Sequence, residues 1–234
     1  MRRGVPLSAL FLLLSFWLGC GGGGGGSSSD TGNLRFVQGS SDAPAVNFVV
    51  DGTTQTSDML YANSSDYISL KPGSRHVQVI PVNSSKPLLD QTVSVTASVY
   101  QTLFLTGPVA QLKPILLTDT ATTSTTAPIP NVRVISISLN MGPADVYIVD
   151  PSVNLSSATP VATSLSFGQD TGYQAITSPA GSNPVNFEVF VTAPTTHNAY
   201  LATGPLTVTS GKNETVVIED GAAGGFAFGT LQDQ

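Results

Sequence analysis

One cysteine, two histidines, one tryptophan and nine basic residues are all that 234 positions provide. A single cysteine excludes an intramolecular disulfide, so any fold here must rest on core burial, which repeats of roughly 90 to 100 residues are long enough to supply. Beyond Arg2 and Arg3 the basic residues are Arg35, Lys71, Arg75, Lys86, Lys113, Arg133 and Lys212, and they form no patch or stripe. That scatter argues against nucleic acid and against an electrostatic hold on anionic lipid. The formal net charge is −6 and becomes more negative by two if Arg2 and Arg3 leave with a cleaved leader. Such an acidic excess keeps a domain dispersed. Scarce histidine narrows the chemistry further. His76 lies between Arg75 and Val77 on a predicted strand, and His197 lies in a Pro194-Thr195-Thr196-His197-Asn198 loop. There is no Gly-x-Ser-x-Gly elbow and no His-Glu-x-x-His helix, so both read as surface residues and the chain as a non-enzyme without cofactor.

What is present begins with Met1-Arg2-Arg3, an apolar run from Leu7 to Leu18 broken by Ser8 and Ser15, and then Gly19-Cys20. About a dozen apolar residues are too short to span a bilayer comfortably, so 1–19 read as a signal peptide. Trp17-Leu18-Gly19-Cys20 resembles a bacterial lipobox, with Trp17 where leucine is usual. The resemblance implies cleavage before Cys20 and lipidation of its thiol, holding the protein at the membrane by two or three acyl chains. Gly21 after that cysteine, in place of aspartate, favours the outer membrane. Residues 20–32 form the lipidated cysteine and a Gly/Ser tether, a flexible coil of roughly 20 Å root-mean-square span. No Lys-Ser/Thr follows the glycines, so they are not a phosphate-binding loop.

From Asn33 onward, short runs rich in Val, Ile, Thr, Phe and Tyr alternate with Gly, Pro, Asn, Asp and Ser. This pattern predicts strands over 34–39, 46–51, 66–70, 75–82, 89–96, 99–106 and 112–118. Lys71-Pro72-Gly73-Ser74 reads as a type II turn with Gly73 at positive φ. Period-two alternation places Phe48, Val50, Val79, Leu103 and Leu105 in a core. The pattern then restarts. Leu34-Arg35-Phe36-Val37 corresponds to Val132-Arg133-Val134-Ile135, and Pro44 through Asp51 to Pro143 through Asp150. Tyr61 and Tyr67 correspond to Phe167 and Tyr173, Gly73 to Gly181, and Val95-Thr96 through Thr102 to Val208-Thr209 through Thr215. These landmarks in one order indicate a tandem duplication: repeat one over 33–119, a Thr/Pro-rich linker over 120–130 and repeat two over 131–234. The expected fold is all-β, two tandem immunoglobulin-like β-sandwiches.

The stretch Ser41-Asp42-Ala43-Pro44-Ala45-Val46-Asn47-Phe48-Val49-Val50-Asp51-Gly52 resembles a domain-of-unknown-function family of bacterial envelope proteins. Repeats of that family read roughly S-P-D-A-P-A-V-D-V-Y-V-D-G. Tyr67 and Lys71-Pro72-Gly73 are similar to the family's later Y-V-x-L-P-A-G-x-Y segment. The match covers most of 33–119 and is weaker in 131–234, where Asp145-Val146-Tyr147 survives but the S-P-D-A-P lead does not. The resemblance implies a sandwich repeat on anchored or surface proteins and no particular activity.

Ligand candidates are few. Asp42, Asp51 and Asp58 in repeat one, with Asp145 and Asp150 in repeat two, supply the loop oxygens that calcium requires, though strand-end aspartates ordinarily serve turns. Tyr61, Tyr67, Tyr147 and Tyr173 recur in register, which indicates packing more than a glycan platform. The sequence therefore describes a membrane-tethered envelope lipoprotein acting as a non-catalytic structural or interaction module, its partner another envelope protein or a glycan. The alternative is a glycan- or calcium-binding module at the cell surface.

Overall fold

A computed structural model describes residues 1, 30–119, 129–177, 183–221 and 223–233. They form two similar β-sheet modules. The first holds β1 (Gly32–Gly39), β2 (Val46–Val50), β3 (Thr53–Met59), β4 (Ile68–Leu70), β5 (Gly73–Pro81), β6 (Leu89–Val95), β7 (Tyr100–Thr106) and β8 (Lys113–Thr118). The second holds β9 (Asn131–Ser136), β10 (Ala144–Val149), β11 (Ala162–Leu165), β12 (Gln174–Ala175), β13 (Val185–Thr192), β14 (Ala199–Ala202), β15 (Leu206–Val208), β16 (Asn213–Asp220) and β17 (Phe226–Asp233). Among the described residues no helix is long and apolar enough to cross a membrane.

Each module pairs an inner and an outer sheet around its own core. The inner sheets run β4-β1-β7-β8 and β12-β9-β16-β17; the outer ones run β3-β2-β5-β6 and β11-β10-β13-β14, with β15 also on β13. In both inner sheets the first strand pairs in parallel with a late one, β1 with β7 and β9 with β16. Other strand pairs are antiparallel. The first core holds Leu34, Phe36, Phe48, Val50, Val79, Leu103 and Leu105, so the five core positions expected from alternation all face it. Phe36 and Phe48 stack at 4.5 Å between ring centroids, joining the two sheets. The second core is built from the equivalent strands around Val134, Val146, Phe187, Val216 and Ile218.

Local chemistry fixes the connections. Asp51 and Gly52 both take positive φ, 48° and 78°, which closes the β2–β3 hairpin with the turn twist that strands favour. Gly73 sits at φ 105°, meeting the demand of the Lys71–Ser74 turn. The sequence pattern misses β3: Thr53 to Asp58 are polar and outside the buried set, and only Met59 reaches the core.

A third core lies between the modules, and the sequence did not foreshadow it. Val37 and Phe104 come from the first inner sheet, and Ile135, Ile137, Val217 and Leu231 from the second. Alternate residues of one strand thus serve two cores. Leu103 and Leu105 point inward, while Phe104 between them points across the seam. At Gly39 an added Cβ would lie 2.6 Å from the Ile137 Cδ1 methyl and 3.0 Å from the Leu105 carbonyl, so the approach of the modules there requires glycine.

Phe48 is fully buried. Phe48→Ala is expected to cost about 3–5 kcal/mol. Chemical denaturation of the variant beside an exposed control, His76→Ala, checks it; the control should stay within about 0.5 kcal/mol of wild type.

Candidate functional site

Arg35 stands on β1 and Arg133 at the equivalent place on β9, each between apolar neighbours that enter a module core. Alternation therefore turns both guanidinium groups into the seam, where their side chains are 5% and 4% exposed. Burying an ion costs several kcal/mol unless it is paired and hydrogen-bonded. Here the pairing is exchanged between repeats. Arg35 Nη2 donates to Asp233, at the end of β17, and Arg133 Nη2 donates to Asp119, just after β8, at 2.7 Å. The carboxylate of each arginine's own repeat stands farther off: Arg35 to Asp119 is 3.7 Å and Arg133 to Asp233 is 3.9 Å.

The remaining groups obey the same pseudo-twofold relation. Arg35 Nε donates to Thr102 Oγ1 at 2.9 Å and Arg133 Nε to Thr215 Oγ1 at 3.1 Å. Thr102 then donates to Asp119, and Thr215 to Asp233. Tyr67 Oη donates to Asp119 at 2.9 Å, and Tyr173 Oη to Asp233 at 2.6 Å. The guanidinium carbons sit over the rings of those tyrosines, at 4.5 Å for Arg35 on Tyr67 and 4.6 Å for Arg133 on Tyr173. Finally Arg35 Nη1 donates to the Gln232 carbonyl at 2.9 Å, and Arg133 Nη1 to the Thr118 carbonyl at 2.8 Å. Two cations and two anions balance, and each carboxylate receives an arginine, a threonine and a tyrosine.

Burial pushes the Tyr67 and Tyr173 phenols above their ordinary range, and the neighbouring Asp119 and Asp233 add to the effect. Both rings stay protonated and donate. Burial also pushes the Asp119 carboxyl up, against the hydrogen bonds from Thr102 and Arg133. For Arg133 burial acts to lower the value, but Tyr173, Asp119 and Asp233 together carry it upward, so its charge is secure.

Beside this network a cleft of about 460 Å³ opens at the seam. Residues 64–67 of the first module form one wall, and Lys212 and 230–232 of the second form the other, with Arg35 also lining it. A smaller cavity of about 270 Å³ shares Lys212, Thr230 and Gln232 and extends past Glu214 toward 207–209. Burial raises the Glu214 carboxyl to about 7; Asp233 contributes in the same direction and a hydrogen bond with Thr230 opposes it.

Cys20 with its lipobox, most of the tether, residues 120–128 of the linker and Gly181 lie outside the described residues. The two histidines are exposed and on different modules. His76 Nε2 is 2.6 Å from Asp90 Oδ1, and His197 lies 5.6 Å from the Tyr147 ring. The hydrogen bonds from His76 and Gln78 hold the Asp90 carboxyl below its usual range. The loop aspartates accept from nearby backbone instead of converging. Asp42 takes Val109 N–H at 3.0 Å, Asp51 takes His76 N–H at 2.9 Å, Asp145 takes Ser164 N–H at 2.9 Å and Asp150 takes Ser152 N–H at 2.8 Å. Asp58 sits at positive φ at the end of β3. Among the described residues no group of three or more His, Cys, Asp or Glu is placed to hold a metal ion. The tyrosines face inward or along the seam: Tyr147 is 2% exposed, and Tyr61 Oη donates across the seam to the Asp220 carbonyl at 2.7 Å. Sequence reasoning gave no site role to Thr102, Asp119, Thr215 or Asp233. The available signal was an arginine embedded at the same place in two apolar strands, which has to find a buried anion.

Two outcomes follow from this geometry. Asp233→Asn leaves Arg35 buried without its counter-ion and should cost about 3–5 kcal/mol, read by denaturant unfolding. Glu214 releases its proton later in the folded chain than in the unfolded one. Its contribution to stability is therefore present at low pH and lost as pH rises from about 4.5 to about 7. Glu214→Gln should flatten that fall, which melting temperatures from pH 5 to pH 8 will show.

No curated protein matches the chain. Among solved structures, the Bacillus anthracis TIE protein is similar at 10% identity with a TM-score of 0.24, over 87% of this chain and 44% of that one. The chain thus spans less than half of that protein's length. A domain family of unknown function matches from the start of β1, through the whole first module, and on into β9 and β10. Residues 32–147 match the model of DUF4397, a domain of unknown function.

Proposed function

We propose that this chain is a membrane-tethered lipoprotein of the bacterial envelope, in which two immunoglobulin-like sandwich repeats act as a non-catalytic structural or interaction module. The observation that carries the reading is positional. The chain's one cysteine follows Gly19 at the end of a leader-like apolar run and precedes a run of glycines. Cys20 carries the lipid, 1–19 are removed, and 20–32 hold the body off the bilayer. Gly21 directs the protein to the outer membrane, facing the periplasm or the surface. The domain limits of 33–119 and 131–234, joined by the linker at 120–130, belong to the same reading. The non-catalytic part is supported by where the charge is spent: Arg35, Arg133, Asp119 and Asp233 satisfy one another inside the seam. Its partner is another envelope protein.

Cys20→Ser tests the anchor. The variant should leave the detergent phase and appear in the soluble periplasmic or medium fraction. Retention on washed membranes would refute the lipid anchor.

A further inference from the structure

The two inner sheets end in equivalent edge strands, β8 and β17, and these edges differ in one chemical respect. In an antiparallel pair, residues alternate between pointing both backbone groups at the partner and pointing both away. Asp119 N–H turns to the Tyr100 carbonyl, whereas the Thr118 carbonyl turns away from β7 to Arg133. The outward positions of β8 are therefore 114, 116 and 118. Pro114 occupies the first of these and offers no N–H, and Lys113 beside it adds charge; both are ordinary means of closing a sheet edge.

On β17 the Gln232 carbonyl turns away from β16 to Arg35, so the outward positions are Phe226, Phe228, Thr230 and Gln232. Phe226-Ala227-Phe228-Gly229-Thr230-Leu231-Gln232 contains no proline, lysine or arginine. Among the described residues, the outward N–H and C=O of Phe226, Phe228 and Thr230 have no partner. The Thr230–Gln232 end of this open edge forms one wall of the seam cleft, opposite residues 64–67. Lys212 lines the same cleft and has no ion pair among the described residues.

We propose that the β17 edge in this cleft binds an extended peptide segment of a partner protein, added to the inner sheet as a further strand, with a carboxylate of the peptide meeting Lys212. The proposal rests on the interaction-module reading above and names its partner class. A single strand adds at about 4.8 Å from its neighbour, beside which the cleft offers about 460 Å³. Backbone pairing gives the affinity, and the polar lining provided by Ser64, Ser65, Asp66, Thr230 and Gln232 favours polar side chains on the bound strand, its carboxylate at the Lys212 wall and away from Asp66.

The probe is a synthetic octapeptide of alternating Thr and Val ending in Glu with a free carboxylate. It is titrated by nuclear magnetic resonance into the full-length Cys20→Ser chain, or into the detergent-solubilised wild type if that substitution leaves the protein on membranes. The binding result is then independent of the anchoring result. Expected is saturable binding with shifts at the Thr230 and Gln232 amides. Affinity should fall at least tenfold when alternate peptide amides are N-methylated, at least tenfold in Thr230→Pro, and severalfold in Lys212→Ala. Thr230→Pro copies the protection at Pro114 and removes an N–H that the β16 pairing does not use. If that variant fails to fold, the N-methylated peptide on the unsubstituted edge decides alone. Three results would each overturn the proposal: no binding, equal binding of the N-methylated peptide, or shifts confined to other strands. A full-length dimer dissolved by Thr230→Pro would assign the edge to a second copy instead, and chitotetraose shifting the same amides would assign the cleft to a glycan.

Discussion

Four charges sealed between two sheets set the terms for everything else in this molecule. Arg35 and Arg133 are 4% and 3% exposed, and Asp119 and Asp233 are fully buried. Buried ion pairs are a poor source of net stability, because desolvation offsets most of the attraction. They are demanding about geometry, however. Each arginine finds a near carboxylate only on the other repeat, its own being 3.7 or 3.9 Å away. A module separated from its neighbour would keep the threonine and tyrosine contacts and lose the close counter-ion. Any shift of register at the seam would strand a charge. The exchange therefore acts as a specificity device, selecting one arrangement of two faces that apolar contacts alone would allow to slide.

That arrangement also explains the unusual burial of the inner sheets. A sheet facing water on one side alternates apolar and polar residues, whereas one buried on both faces reads as a continuous apolar run. Val216 to Ile218 and Leu103 to Leu105 are of the second kind, and each run feeds two cores. The parallel pairs β1–β7 and β9–β16 lie at the centre of this four-layer stack, where parallel strands are usually found. Phe104 and Ile135 supply the apolar part of the seam, and Gly39 lets the backbones approach. The covalent connection then contributes mainly effective concentration, holding two complementary faces within reach of each other.

Much of this was legible residue by residue. Phe48, Val50, Val79, Leu103 and Leu105 announced themselves by alternation. The duplication showed in landmarks that the structure superimposes in role: Arg35 with Arg133, Tyr67 with Tyr173, Thr102 with Thr215. What stayed hidden depends on long-range partners. β3 is polar because it lies at an outer edge, so it gives no periodic signal. Phe104 looks like one more apolar residue until a second module covers it. Asp119 and Asp233 sit near the ends of their repeats, where aspartate normally signals a turn, and nothing local says that an arginine from the other copy reaches them. The seam cleft was illegible for the same reason, since its two walls are far apart in sequence.

The two modules are alike in their buried chemistry and unlike at their edges, and the contrast has a physical logic. The arginine–carbonyl bonds that cap β8 and β17 are equivalent, so the seam geometry is the same on both sides. Beyond those bonds β8 is closed by Pro114 and Lys113, while β17 presents outward groups from Phe226 to Thr230 that are unpaired among the described residues. An open edge strand is an aggregation hazard in a protein that must stay dispersed. Where one of two equivalent edges is closed by residues that cost the fold nothing, leaving the other open calls for a specific reason. In this chain that edge also borders the cleft, with residues 64–67 across from it.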